Sequence, residues 1–160
     1  MSVVIRIPGR TIPLDRLKPG ACYLAAGADG PDLALVVTRD GRREALLLNR
    51  RSGGGGHLPI VSGLRVDTDV LALRGAVLTP NGAIGDIRSG QGAANPAALH
   101  LGDGSAYLCG RDESGRLATF DVVSGVASAI DPGDLPHAMR WRVIVPEAGG
   151  VVTIYEADPA

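Results

Sequence analysis

Aromatic residues are scarce in this 160-residue chain and make up only 3% of it. They are Tyr23, Tyr107, Phe120, Trp141 and Tyr155. Proteins that bind single-stranded nucleic acid stack the bases on exposed rings, and sugar-binding modules commonly use rings in the same way. Most of these five residues lie in strongly apolar segments, where a ring is buried. The composition therefore argues against both activities.

Excess charge of one sign is also missing, because the net charge is −1. Such a balance provides no overall attraction to nucleic acid or to an anionic membrane, and neither partner is predicted. Nucleic-acid binding would require a local basic face built from Arg39, Arg42, Arg43, Arg50 and Arg51. Lys18 is the only lysine, and this arginine bias, with abundant Ala and Gly, favours a bacterial or phage source rich in GC.

Long hydrophobic runs are absent as well. No segment approaches the roughly 18 apolar residues that span a bilayer. The first ten residues, MSVVIRIPGR, lack the basic stretch and apolar run of a signal peptide. The sequence thus predicts a soluble protein located in the cytoplasm, or in the virion if the source is a phage.

The two cysteines, Cys22 and Cys109, are too few for a disulfide scaffold or a four-cysteine zinc site. Each lies in an apolar segment, which predicts a small buried side chain. The Asp-rich segments at residues 29–32, 67–69 and 103–104 lack the D-x-D-x-D-G pattern of a calcium loop. No cofactor is predicted.

Three histidines, His57, His100 and His137, are widely separated, and each is expected in a loop or at its edge. A metal site could converge from distant loops, but the default interpretation is surface histidines, and no metal ligand is assigned. A hydrolase would require Ser105 or Ser124 to meet a histidine and an aspartate. The G-x-S-x-G motif is absent, and no catalytic residue is assigned.

The glycine-rich segment at residues 49–57, NRRSGGGGH, resembles an anion-binding nest in composition. It is not followed by the Gly-Lys-Ser/Thr of a phosphate-binding loop. We therefore interpret it as a linker.

Turn signals between apolar segments dominate the rest of the chain. Residues 104–123 predict a hairpin around a Gly/Asp/Ser turn, and Asp40-Gly41 predicts a second hairpin. Residues 76–87 predict a third around the Pro-Asn-Gly turn. In all, about ten short strands are expected, with at most one short helix near residues 95–101, where Asn95 and Pro96 begin a helix-like pattern. The fold class is all-β, an antiparallel sandwich or a jelly-roll or barrel-like fold, in a single domain over residues 1–160.

A weak internal similarity links the first part of the chain to the hairpin at its centre. Residues 20–37 echo residues 104–121 without a gap. In that alignment Tyr23 matches Tyr107 and Leu33 matches Leu117. Either a distant repeat or two independent hairpins of similar build would produce this pattern.

Two segments carry the strongest packing predictions. Residues 33–37 are apolar at every position, which indicates that both faces of this strand are covered, one by the core and the other by an oligomer partner. In the C-terminal hairpin, Trp141 should share one face with Val143 and Val145. Val152 and Ile154 should oppose that row, which would leave Tyr155 outward or against a neighbouring molecule. The indole N–H should find a carbonyl.

These observations favour a non-catalytic β-sandwich that works through protein–protein contacts, as a subunit of a homo-oligomer or a larger assembly such as a phage-type structural component. The alternative is a small-molecule-binding or hydrolytic β-barrel whose pocket is walled by loops 49–63, 88–104 and 124–138. That alternative requires the three histidines to converge with a carboxylate such as Asp86 or Asp103.

Overall fold

The computed structural model describes residues 9–50, 58–65, 67–90, 92 and 94–158. Fifteen strands account for the regular structure of these residues, together with three single-turn 3-10 helices at Leu14–Arg16, Ile84–Asp86 and Pro132–Asp134. The strands are β1 (Arg10–Pro13), β2 (Cys22–Gly27), β3 (Gly30–Arg39), β4 (Arg42–Leu47), β5 (Ile60–Gly63), β6 (Asp69–Ala72), β7 (Val77–Pro80), β8 (Ile87–Arg88), β9 (Leu99–Gly102), β10 (Ser105–Arg111), β11 (Leu117–Asp121), β12 (Ala127–Ser128), β13 (His137–Ala138), β14 (Trp141–Glu147) and β15 (Gly150–Ala157).

The strands form two sheets. In the large sheet the order is β1-β6-β2-β3-β4-β5-β10-β9-β13-β8, and β11 and β12 extend from β10. The small sheet has the order β15-β14-β7. Among the named strands, pairing is antiparallel except at one position, where Ile60 of β5 runs parallel to Arg111 of β10. The all-β prediction is confirmed, and two separate sheets correspond to the sandwich rather than to a closed barrel.

One hydrophobic core lies between the sheets and a second lies on the opposite side of β3. Leu33, Leu35 and Val37 point into the first core, which also contains Trp141. Ala34 and Val36 point into the second core with Leu14 and Tyr23. Both faces of residues 33–37 are therefore covered, as predicted. The prediction that a partner covers the second face is wrong, because Leu14, Leu17 and Val70 of the same chain cover it.

Two local predictions fail because distant strands compete for the same segments. Residues 99–102 form β9 instead of the end of a helix, since β9 is paired on both sides, by β10 and β13. Asn95 begins a turn instead, in which its Oδ1 accepts the N–H of Ala97 at 3.2 Å. The hairpin predicted over residues 76–87 is also wrong, because β7 pairs with β14 and β8 with β13. The strand count exceeds the predicted ten because several short pairs form in the loops.

Three other hairpins are confirmed. Asp40 and Gly41 have φ of 52° and 74° at the β3–β4 turn, and β10 pairs with β11 as expected. In the C-terminal hairpin, Trp141, Val143 and Val145 are all buried. The Val/Ile content of residues 2–7 also predicts a strand, which lies outside the described part of the chain. None of the helices in the described ranges is long and apolar enough to cross a membrane.

Candidate functional site

Two of the three histidines meet. His100 in β9 lies directly opposite His137 in β13, and their ring centroids are 5.6 Å apart. His100 is 1% exposed and His137 is 9% exposed, so the prediction of surface histidines is wrong for both. The strands β9 and β13 lie in the last residues of loops 88–104 and 124–138. Backbone hydrogen bonds join the two loops, such as that from Leu101 N–H to Pro136 C=O at 2.7 Å. His57 lies outside the described residues.

The environment of His100 indicates a structural role. Its Nε2 accepts the backbone N–H of Asn95 at 3.3 Å. Burial lowers the pKa of His100, and the neighbouring His137 lowers it further. The ring is therefore neutral near pH 7, and since Nε2 accepts, the proton is on Nδ1. The Nδ1 atom is buried and has no hydrogen-bond partner among the described residues. The backbone of Tyr107 raises the pKa of His100, but by less than burial lowers it.

In the described part of the chain, two of the candidate partners of this pair, Asp86 and Ser124, make local contacts. The Asp86 carboxylate accepts the N–H of Ala83 at 3.0 Å. The side chain of Ser124 accepts the N–H of Val126 at 3.3 Å within a turn. No group of three His, Cys, Asp or Glu side chains among the described residues is arranged to hold a metal ion. The histidine pair joins loops 88–104 and 124–138. The convergence of all three histidines that the alternative hypothesis requires stays a prediction, because His57 lies outside the described residues.

Two of the five arginines singled out in the sequence, Arg39 and Arg50, form ion pairs, and Arg42 is exposed. Arg39 contacts both Glu44 oxygens at 3.1 Å and Asp112 Oδ2 at 3.0 Å. Arg50 contacts Asp32 at 3.0 Å, and Arg43 donates to a backbone carbonyl at 3.0 Å. Arg51 lies outside the described residues. These contacts disperse the positive charge, and nothing in them supports a nucleic-acid interface.

The outer side of the small sheet is the most unusual surface of the molecule, and we call it the open face. Alternation along the strands puts one set of side chains toward the core and the other set outward. The registers of β7 and β15 against β14 define which side chains point outward. The open face consists of Val77, Thr79, Arg142, Ile144, Pro146, Val151, Thr153 and Glu156.

Two of the seven large hydrophobic side chains that are exposed among the described residues lie on the open face. Val77 is 51% exposed and Val151 is 55% exposed, while Ile144 lies between them in the neighbouring strand and is half-buried. A sandwich normally places charged or polar side chains on its outer faces, so this apolar set calls for an explanation.

A β-bulge shapes the other side of the same sheet. Val143 pairs with Tyr155 and Ile144 pairs with Thr153, so Ile154 is an extra residue in β15. The bulge turns Tyr155 inward, where its ring meets Trp141 edge to face at a centroid distance of 5.9 Å. The prediction that Tyr155 points outward is therefore wrong, because strict alternation breaks at a bulge. The indole N–H donates to Ala97 C=O at 3.0 Å, as predicted.

A cavity of about 350 Å³ adjoins the open face, and we call it the side hollow. Its wall is mainly aliphatic and includes Leu35, Leu78 and Val122. Val77 belongs to both surfaces, and Val123 at the rim is 71% exposed. Val77 thus links the open face to the side hollow. The alternation of side chains along residues 141–146 predicts which residues of β14 point outward on the open face. Only the sheet pairing shows that Val77 belongs to the same face.

No model of a known protein family matches the chain, and no curated protein and no solved structure is significantly similar to it.

Proposed function

We propose that this protein is a non-catalytic β-sandwich that assembles with further copies of itself through the open face. The proposal rests on the apolar side chains of the open face, where Val77 and Val151 are exposed and Ile144 lies half-buried between them. Contiguous apolar patches of more than a few hundred Å² on a protein surface are typical of interaction sites. The side hollow would accept a side chain from the partner, as pockets at the centre of interfaces do.

The charges on the open face favour a second copy as the partner. Arg142 and Glu156 lie at directly opposed positions of β14 and β15 and point to the same side. In a two-fold symmetric contact each subunit presents the same surface. Arg142 of one copy can then face Glu156 of the other, and one surface supplies both partners of the ion pair.

A phage-type structural component, such as a decoration, tail or fibre-associated protein, is one form that such an assembly would take. The protein would then be located in the virion, and otherwise in the cytoplasm. The proposal assigns no catalytic residue and no cofactor, and its partner is another protein chain.

Light scattering coupled to size-exclusion chromatography tests the proposal. We expect the wild-type protein to be oligomeric and Val77→Arg or Val151→Arg to be monomeric, since each buries an unpaired charge in the contact. Leu117→Arg is the matched control, because Leu117 is a 47% exposed strand residue outside the open face. A wild-type protein that stays monomeric at high concentration would overturn the proposal.

A charge exchange distinguishes the open face from any other contact. Arg142→Glu or Glu156→Arg alone should weaken the oligomer, because each places two like charges together across the interface. The double variant should restore it. Failure of the double variant to recover, with both chains still folded by circular dichroism, would contradict the two-fold arrangement.

A further inference from the structure

A second cavity of about 390 Å³ lies at one end of the strand pair β1–β6, beside the chain that enters β2. It lies within the size range of small-molecule sites, roughly 300–1,000 Å³. Its interior is formed by Ile12, Leu17, Cys22 and Leu73. We call it the terminal cavity, and it does not include any residue of the open face.

The wall of the terminal cavity offers few polar groups to a ligand. The N–H of Leu73 is donated to Cys22 C=O at 2.9 Å, and the N–H of Ala76 to Leu73 C=O at 3.2 Å. Burial raises the pKa of the Cys22 thiol to about 12, so this side chain is uncharged at neutral pH. The interior therefore suits a hydrocarbon and does not suit a polar molecule.

Two arginines stand at the same end of this cavity. Arg10 is the first residue of β1 and pairs with Ala72, the last residue of β6, because the two strands are antiparallel. Arg74 follows two positions after Ala72, and both arginines line the cavity. Within the described ranges neither guanidinium takes part in an ion pair, and no Asp or Glu lines the cavity.

We infer that the terminal cavity binds an apolar monocarboxylate, such as a medium-chain fatty acid. The hydrocarbon chain would lie against Ile12, Leu17 and Leu73, and the carboxylate would lie between Arg10 and Arg74. Guanidinium groups bind carboxylates well because their N–H groups match the two oxygens. An apolar pocket with a few convergent polar groups is the usual form of a small-molecule site. The terminal cavity shares Gly20 and Ala76 with the side hollow but no residue with the open face.

Calorimetric titration of the full-length protein with hexanoate, octanoate and decanoate tests the apolar part of the inference. Each buried methylene contributes about 0.8 kcal/mol, so affinity should rise about three- to fourfold per methylene until the cavity is full. Decanol and decylammonium test the charged part. Decanoate should bind more tightly than decanol, although decanol is the less water-soluble molecule, and decylammonium should bind most weakly.

Two variants locate the site. Arg10→Gln and Arg74→Gln should each weaken decanoate binding by about fivefold, the value of a partly solvated ion pair, and leave decanol binding unchanged. Arg116→Gln, an exposed arginine in a turn between β10 and β11, is the control and should change neither. The inference is overturned if decanoate shows no saturable binding, or if decanol and decylammonium bind as tightly as decanoate. It is also overturned if Arg116→Gln weakens decanoate binding as much as Arg10→Gln and Arg74→Gln do.

Discussion

The side chain of Trp141 packs in the core between the two sheets. It is fully buried, its N–H donates to Ala97 C=O at 3.0 Å, and its ring meets Tyr155. We expect Trp141→Ala to lower the free energy of unfolding by about 3–5 kcal/mol, because it leaves a large cavity. Arg142→Ala, at the next position on the opposite face, should cost less than about 1 kcal/mol. Urea denaturation of both variants at low protein concentration checks this, and equal midpoints would contradict it.

The buried His100 should make stability depend on pH. Burial and the neighbouring His137 lower the pKa of His100 in the folded state, whereas an unfolded histidine binds its proton near pH 6.5. The unfolded state then binds more protons in the acid range, so stability falls with falling pH. The stabilisation should be complete above about pH 6.5 and be lost as the pH falls through the lower folded-state pKa.

Urea midpoints measured from pH 7.5 to pH 5 test this dependence in the wild type and in His100→Gln, whose amide can still accept the Asn95 N–H. We expect a shallower acid decline in the variant. A decline of the same slope in both proteins would show that His100 is not the titrating group.

At the scale of elements, two glycines with similar backbone angles should respond very differently to substitution. Gly41 has a φ of 74° in the β3–β4 turn, and a Cβ there would meet open space. Gly20 has a φ of 90°, and a Cβ there would overlap the carbonyl oxygen of Val123. Gly41→Ala should cost about 1 kcal/mol for the left-handed conformation alone, and Gly20→Ala at least about 3 kcal/mol because backbone must also move. Thermal denaturation of the pair checks the difference, and similar losses would show that the Val123 contact is not tight.

The two hairpins that share a weak sequence similarity differ in their pairing. Tyr23 pairs with Ala34, but Tyr107 pairs with Asp121 rather than with Ala118. The turn between β2 and β3 has two residues, whereas β10 and β11 are joined by five. Leu33 is consequently buried, and Leu117, its counterpart in the alignment, is 47% exposed. Turn length sets the register of a hairpin, so similar strands on different turns take different positions.

At the scale of the whole molecule, the first core contains side chains from both halves of the chain. Leu35 and Cys22 from the first half pack in the same cluster as Phe120 and Trp141 from the second. We therefore predict one cooperative unfolding transition, because both halves of the chain contribute to the first core.

The two cysteines report on this prediction. Both are buried, and burial raises both thiol pKa values, that of Cys22 to about 12. Neither should react with a thiol reagent in the native protein, since the thiolate is the reactive form. Each of the variants Cys22→Ala and Cys109→Ala keeps one cysteine. When the urea concentration is expressed relative to each variant's own unfolding midpoint, both remaining cysteines should become reactive over the same range. Reaction of one cysteine well before the other would show that the two halves unfold separately.

The sequence alone determined the all-β class, the Asp40-Gly41 turn, and the inward row of Trp141, Val143 and Val145, because turn chemistry and side-chain alternation act over a few neighbouring residues. Only the tertiary structure decided that β7 joins β14, that β9 is a strand, and that Arg10 and Arg74 share one cavity. These depend on pairings between segments far apart in the chain. The free energy of such a pairing comes from burial and hydrogen bonds between both strands. The local sequence of one strand therefore does not specify which other strand it pairs with.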